Sequence, residues 1–307
     1  MYVTRLEIEG LRSAEHRTVE SSDRTVSVGA GAEGGAVFDA LDLFAGALSP
    51  RDPRAVVRRL GWDGDGLDVV GDDAEPEIVG LSGAAVGASL AEGTRSVTIQ
   101  AEIELDPPLY ARLRDVARDP RVLLALGQRR AIAVKAGWLF NKDRSAAHPS
   151  VLAFRIGDVA FDTVGKERPA WLGDICSDIG ARFARTDPTD TSSVVATRLL
   201  AAWVSPDAAQ RSGYLRLSAA VERAPFEVPS LGVVRHGERL EIAFGKDLTP
   251  ARMFGRQALD AVRWCEALFV RRPDVLAIEE PIGEAVATWL TSVVEGPDAP
   301  IEQVWLR

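Results

Sequence analysis

A chain of 307 residues, 46% apolar and 26% charged, has room for one large domain or two ordinary ones and for a sizeable core. Its net charge of −9 excludes a broad basic surface for nucleic acid, though not a local basic groove. Cys176 and Cys265 lie far apart in apolar-periodic segments and His16, His148 and His236 are isolated, which excludes a disulfide framework and zinc-ligand spacing.

Lys135, Lys142, Lys166 and Lys246 are the only lysines and Asn141 is the only asparagine, a bias of GC-rich bacterial coding. The charged, alternating N-terminus is not a signal peptide, and no apolar run reaches membrane-spanning length. A cytoplasmic protein with no membrane partner is the expectation.

In chain order, Tyr2 to Ile8 reads as a half-buried strand with Tyr2, Leu6 and Ile8 on one face. A second short strand ends at Val28, and a glycine-rich loop runs from Gly29 to Gly35. Val37, Leu41, Phe44 and Leu48 recur at helical spacing, so Ala36 to Leu48 is expected to be a helix. Ala55 to Leu60 reads as a short helix. Asp63 to Asp68 reads as a solvated turn, since its spacing fails that of a calcium loop.

Ser96 to Leu105 alternates as a strand. Leu109 to Ala117 and Arg121 to Leu126 read as helices. Ala131 to Phe140 and Val151 to Phe161 read as strands, the latter folded at Gly157-Asp158. Pro169 to Arg185 reads as one helix. Ser192 or Ser193 is expected to cap a helix running to Val204, and a further helix covers Asp207 to Arg223. Leu231–Val234 and Arg239–Phe244 form a hairpin. A long helix is expected over Thr249 to Val270, a buried strand over Asp274 to Ile278, a helix over Gly283 to Val294 and a last strand over Ile301 to Leu306.

The stretch Thr25 to Val37 joins a β-branched run, a glycine loop and a helix. That is the frame in which backbone N–H groups and a helix N-terminus cradle a phosphate. In the pattern GxxxxGK[ST], Gly29 and Gly34 fall on the glycines, while Gly35 stands at the lysine and Ala36 at the hydroxyl. Taken alone, the stretch reads as a plain strand–turn–helix corner with surplus glycine, since glycine-rich loops are common. Near the other end, Val275-Leu-Ala-Ile278 runs into Glu279, Glu280 and Pro281, an apolar strand tipped by two carboxylates. Alone, it too fits a buried strand ending in a charged turn.

Together these segments resemble the Walker A and Walker B motifs of ABC-type ATPases. Leu248 to Gln257 resembles the signature stretch, with Thr249 in the place of its serine. Leu6 to Ser13 resembles the "LxIxNFRS" opening of the RecF/SMC/OLD-like branch. The resemblance covers about the first fifty and last seventy residues. It implies an α/β fold: an ABC-ATPase-like head with a mixed central sheet, a P-loop-type core, an antiparallel β lobe and a helical lobe. As a single head over 1–307, its core would come from 1–50 and 230–307, with the lobes inserted over about 51–229. The glycine segment and the strand ending at Glu279 are expected side by side.

By the same resemblance, Glu279 stands at the metal-holding acid, Glu280 at the base, and Gly29, Gly31, Gly34, Gly35 and Ala36 form the phosphate loop. The loop lysine and hydroxyl are missing, Glu279 is one methylene longer than the family's Asp, and no histidine lies beyond His236 to act as the switch. The expectation is therefore a pseudo-ATPase with no catalytic residue, no metal and no cofactor. Its partner would be a second copy or an ATPase-like protein, in DNA repair or phage defence. The alternatives are an atypical ATPase that uses ATP and Mg²⁺, with Arg12 or Arg24 in place of the lysine, and a DNA-binding protein using Arg112–Arg118, Arg129-Arg130 or Arg271-Arg272. An unrelated α/β protein also stays open.

Overall fold

The computed structural model describes residues 1–11, 14–29, 32–48, 68–69, 96–118, 120–128, 130–140, 146–163, 169–186, 191–226, 228–278, 282–296 and 301–307. The expected helix over Ala55–Leu60, the turn from Asp63 and the residues Arg12, Gly31, Arg129, Glu279, Glu280 and Pro281 lie outside these. The chain forms two compact units, Met1–Asp23 with Val28–Phe183, and Arg24–Ser27 with Ala184–Arg307.

The first unit is built on an antiparallel sheet. Its strands are β1 (Tyr2–Leu11), β2 (Ala14–Glu20), β4 (Asp68–Val69), β5 (Ser96–Glu104), β6 (Ala131–Phe140), β7 (Ala146–Ile156) and β8 (Val159–Phe161), in the order β2-β1-β5-β6-β7-β4 with β8 on β7. Only the short β4 pairs in parallel. Along β1 the expected alternation breaks once. Leu6 and Ile8 are buried as predicted, but Val3 is buried in place of Tyr2. The β1–β5 register slips between Val3 and Arg5, and one extra residue there turns the strand's start over.

Helix α1 (Ala32–Leu48) packs on this sheet, where the Trp138 indole N–H donates to the Leu43 carbonyl at 2.9 Å. Helices α2 (Pro107–Ala117) and α3 (Pro120–Gln128) each start on a proline, whose missing N–H is not needed there. Asp106 caps α2 by accepting from the Leu109 amide. The helix expected to reach Arg185 stops early: α4 is Leu172–Ala181, and Phe183–Arg185 forms strand β9. Phe183 turns its ring onto Phe44 of α1, 5.5 Å away, so tertiary packing overrides its helical phase.

The second unit carries a four-stranded sheet in the order β3-β14-β13-β9, with β3 Thr25–Ser27, β13 Val275–Ile278 and β14 Gln303–Leu306. The pairings β3–β14 and β13–β14 are parallel. β13 and β14 are buried at every residue, the continuous apolar run that parallel strands require. Helices α5 (Ser192–Val204), α6 (Ala208–Glu222), α7 (Arg256–Glu266) and α8 (Glu284–Glu295) share one core with it, including Leu199, Leu217, Val262, Leu276 and Leu290. Strands β10 (Leu231–His236), β11 (Arg239–Phe244) and β12 (Thr249–Pro250) form an antiparallel sheet.

Two expectations change here. The α5 cap is Thr191, which accepts from the Val194 amide, while the Ser192 hydroxyl accepts from the Ile242 amide. The long helix from Thr249 is in fact β12, a 3₁₀ turn at Ala251–Met253, α7 and a π turn over Ala267–Arg271. Gly255, at φ +86, separates turn from helix, a left-handed break that periodicity does not register.

Candidate phosphate-loop site

Strand β3 ends at Ser27 and the chain leaves it through Val28 and Gly29, the latter at φ +77. The loop is shorter than the glycine run suggests, because α1 is already helical at Ala32. Gly34 and Gly35 therefore sit in its first turn. Their amides are among the first four of the helix, which have no intrahelical acceptor. Each glycine costs a helix about 1 kcal/mol against alanine. At Gly34 the reason for glycine is spatial. A Cβ there would lie 2.2 Å from the Gly29 carbonyl oxygen, so the turn closes only over a bare α-carbon. Gly34 is the second of the two glycines in the GxxxxGK[ST] pattern. At the hydroxyl position, Ala36 is 1% exposed and its methyl belongs to the core.

Within the second unit, the parallel sheet fixes where the two motif strands end. Ser27 is level with Leu306, and Leu306 with Ile278. The strand feeding the glycine turn and the strand feeding Glu279 and Glu280 thus finish at one edge of one sheet. β14 lies between them, so Ser27 and Ile278 are two strand spacings apart, about 10 Å.

Arg24, a candidate for the missing lysine, precedes β3 and so lies at the opposite end of that strand. Its guanidinium donates to the carbonyls of Ile301 and Glu302. Thr249 lies in β12 opposite Phe244, not at a helix start, and α7 begins seven residues later with Gly255 at its N-cap and no side-chain cap. Near Thr249, Leu248, Met253 and Phe254 are 44%, 73% and 38% exposed, interleaved with the exposed charges of Lys246, Asp247, Arg252 and Arg256.

The arginine clusters are largely occupied within the chain. Arg112 pairs with Asp178 and Arg114 with Asp115, and Arg130 lies over the Tyr110 ring at 5.1 Å. Arg271 pairs with the buried Glu266. Among the described residues no helix is long and apolar enough to cross a membrane.

No family model and no curated protein matches the chain. Among solved structures, the chain is similar to the recombination mediator protein RecF with ATP from the RecFOR pathway. That match has 8% identity, covers 100% of this chain and 93% of the other, and has a TM-score of 0.45. A RecF–ATPrS structure from the same pathway matches at 9% identity over 99% and 91% of the two chains, with a TM-score of 0.42.

Sequence reasoning missed β2, which pairs antiparallel with β1, and the π turn after α7. The segment carries no apolar alternation to mark β2, since Ala14 and Val19, its only apolar residues, are five positions apart and out of phase at period two. Nothing local announces the π turn.

Proposed function

We propose that this chain is a catalytically silent head of ABC/RecF-like build, acting as a non-hydrolysing scaffold or regulatory partner in a DNA-repair or phage-defence complex. The observation that carries the reading is the glycine turn. Gly34 keeps the close approach to Gly29 that shapes a phosphate loop, while Gly35 and the buried Ala36 stand where the lysine and the metal-binding hydroxyl belong. The parallel register of Ser27, Leu306 and Ile278 supports it, since it brings both strands of the nucleotide motif to one sheet edge.

In the family resembled, the loop lysine and the Mg²⁺ ion neutralise charge on the β- and γ-phosphates, and losing that neutralisation costs several kcal/mol. A ligand present at about a hundredfold its Kd adds about 2.7 kcal/mol to stability. Millimolar Mg-ATP is therefore expected to leave the melting temperature unchanged, and no phosphate release is expected, alone or with the products of neighbouring genes. A melting shift with Mg-ATP that is lost in Glu279→Gln, or phosphate release that is lost in Glu280→Gln, overturns the reading in favour of an atypical ATPase. The Arg24 contacts with Ile301 and Glu302 weigh against that alternative.

Heads of this family pair face to face, and the exposed Leu248, Met253 and Phe254 offer this chain an apolar contact surface at the signature-like stretch. The partner is a second copy or an ATPase-like protein. Met253→Glu is expected to weaken the association measured by sedimentation while leaving the melting temperature unchanged.

A further inference from the structure

We propose that α5 pairs with α5 of a second copy of this chain, antiparallel across a two-fold axis. The contact lies within the second unit and does not rest on the function proposed above. Helix α5 buries Val195, Ala196 and Leu199 in the core of that unit. Its other face, formed by Val194, Thr197, Leu200, Ala201 and Val204, is exposed along the length of the helix and carries no charged side chain. Val194, Leu200 and Val204 are 41%, 37% and 67% exposed. A helix bordering water ordinarily turns charged and polar residues outward, and one that is apolar all round belongs in an interior. Arg198, the single charge of α5, does not relieve this, because its guanidinium is held 3.2 Å from the buried Glu266.

The pattern of the face identifies its occupant. Val194, Thr197, Ala201 and Val204 are spaced three, four and three residues apart, which places them on one stripe. That spacing reads the same in both directions. Turned about an axis level with Leu199, the stripe meets itself: Val194 comes opposite Val204 of the second copy, and Thr197 opposite its Ala201. The small pair at the centre lets the two helices approach closely, and the valines fill the space at either end. Beside the stripe, Trp203 is still 48% exposed although its ring rests against Tyr214 of α6, with centroids 5.1 Å apart. A half-exposed tryptophan is a typical anchor of a protein contact.

Charge points the same way. The chain carries −9, so two copies repel each other across surfaces of average composition. An uncharged face brings no like charges together, and it offers a charged partner no complement. A helix of 13 residues is about 20 Å long and about 10 Å across. Two such faces, with Trp203 at the margin, bury on the order of 1,000 Å², the lower bound for a specific interface. The pairing is therefore weak and follows concentration.

The test is sedimentation velocity of the full chain over a micromolar concentration series, in which a monomer–dimer shift is expected. Ala201→Arg is expected to weaken the dimer by about tenfold or more and, at an exposed position, to leave the melting temperature unchanged. Met253→Glu, on the other apolar surface, is expected to leave this dimer in place. Oxidative cross-linking reads the register. Thr197→Cys chains mixed with Ala201→Cys chains are expected to form a disulfide-linked pair, and each variant alone to form little; the native Cys176 and Cys265 are buried and do not compete. A chain that stays monomeric, which would leave the face to a different protein, overturns the proposal. So does a dimer abolished by Met253→Glu and untouched by Ala201→Arg, or equal linking by either cysteine variant alone.

Discussion

Gly34 turns its bare α-carbon to the carbonyl of Gly29, with space for no Cβ: one placed there would sit 2.2 Å from the oxygen. The obstacle is backbone and cannot rotate aside. Gly34→Ala is expected to cost about 2–3 kcal/mol, as overpacking does. Gly29→Ala meets no neighbour within 4 Å but keeps the left-handed φ of +77, and is expected to cost about 1 kcal/mol. Urea midpoints of both variants check the ranking. Equal costs would mean that the turn does not close over Gly34.

Glu266 is 1% exposed and holds two arginines, with Arg198 Nη1 and Arg271 Nε each 3.2 Å from its Oε2. Removing one partner from a fully buried ion pair costs about 3–5 kcal/mol. Both arginines are about a third exposed, so water takes up part of the orphaned charge. Glu266→Ala is expected to cost about 2–3 kcal/mol by denaturant unfolding. A change below about 0.5 kcal/mol, typical of a surface substitution, would show that this carboxylate does not hold the arginines in place.

The Thr98 hydroxyl donates to Glu9 at 2.7 Å, and Lys135 lies 3.5 Å from the same oxygen. The Thr98 hydroxyl has the largest influence and holds the Glu9 carboxyl below its ordinary range; burial, next in size, opposes it, and Lys135 and His16 add smaller lowering effects. A lowered carboxylate contributes stability that is complete above its unfolded value of 4.5 and is lost as pH falls through the folded one. Thr98→Val is therefore expected to flatten the loss of stability on acidification below that point and to leave its pH dependence near neutrality unchanged. Urea midpoints collected from neutral to acid pH test this. Parallel curves for the two proteins would count against the Thr98 contribution.

Cys265 lies wholly inside the core of the second unit, and burial drives its thiol far above the ordinary cysteine range. Attack requires the thiolate. In the native chain Cys265 is expected to resist a thiol reagent and to react only as the core opens, so its labelling rate should follow unfolding. Labelling that is fast and independent of denaturant would contradict the packing around α7.

The strands with clean alternation or dense β-branching were legible: β5, β6 and the β10–β11 hairpin follow from patterns of two to ten residues. The failures share one cause. β9 was read as the tail of α4 because Phe183 keeps helical phase, yet its ring is claimed by Phe44. The Thr249 helix was overextended because apolar spacing does not register a φ of +86 at Gly255. Of the candidate site, the glycine positions could be read from spacing. The insertion of β14 between β3 and β13 could not, because β3 pairs with a strand from the far end of the chain and such a pairing leaves no local mark on either.

By itself, the sequence determined the alternation of strands and helices, the unusual glycine turn and the absence of lysine and hydroxyl at Gly35 and Ala36. These are properties of residues and near neighbours, set by side-chain chemistry and backbone preference. Only the tertiary structure decided that Ser27, Leu306 and Ile278 share one sheet edge, that Gly34 must be bare, and that the uncharged face of α5 is the one left exposed. Those follow from which surfaces bury each other, a choice made by the whole core and not by any one segment.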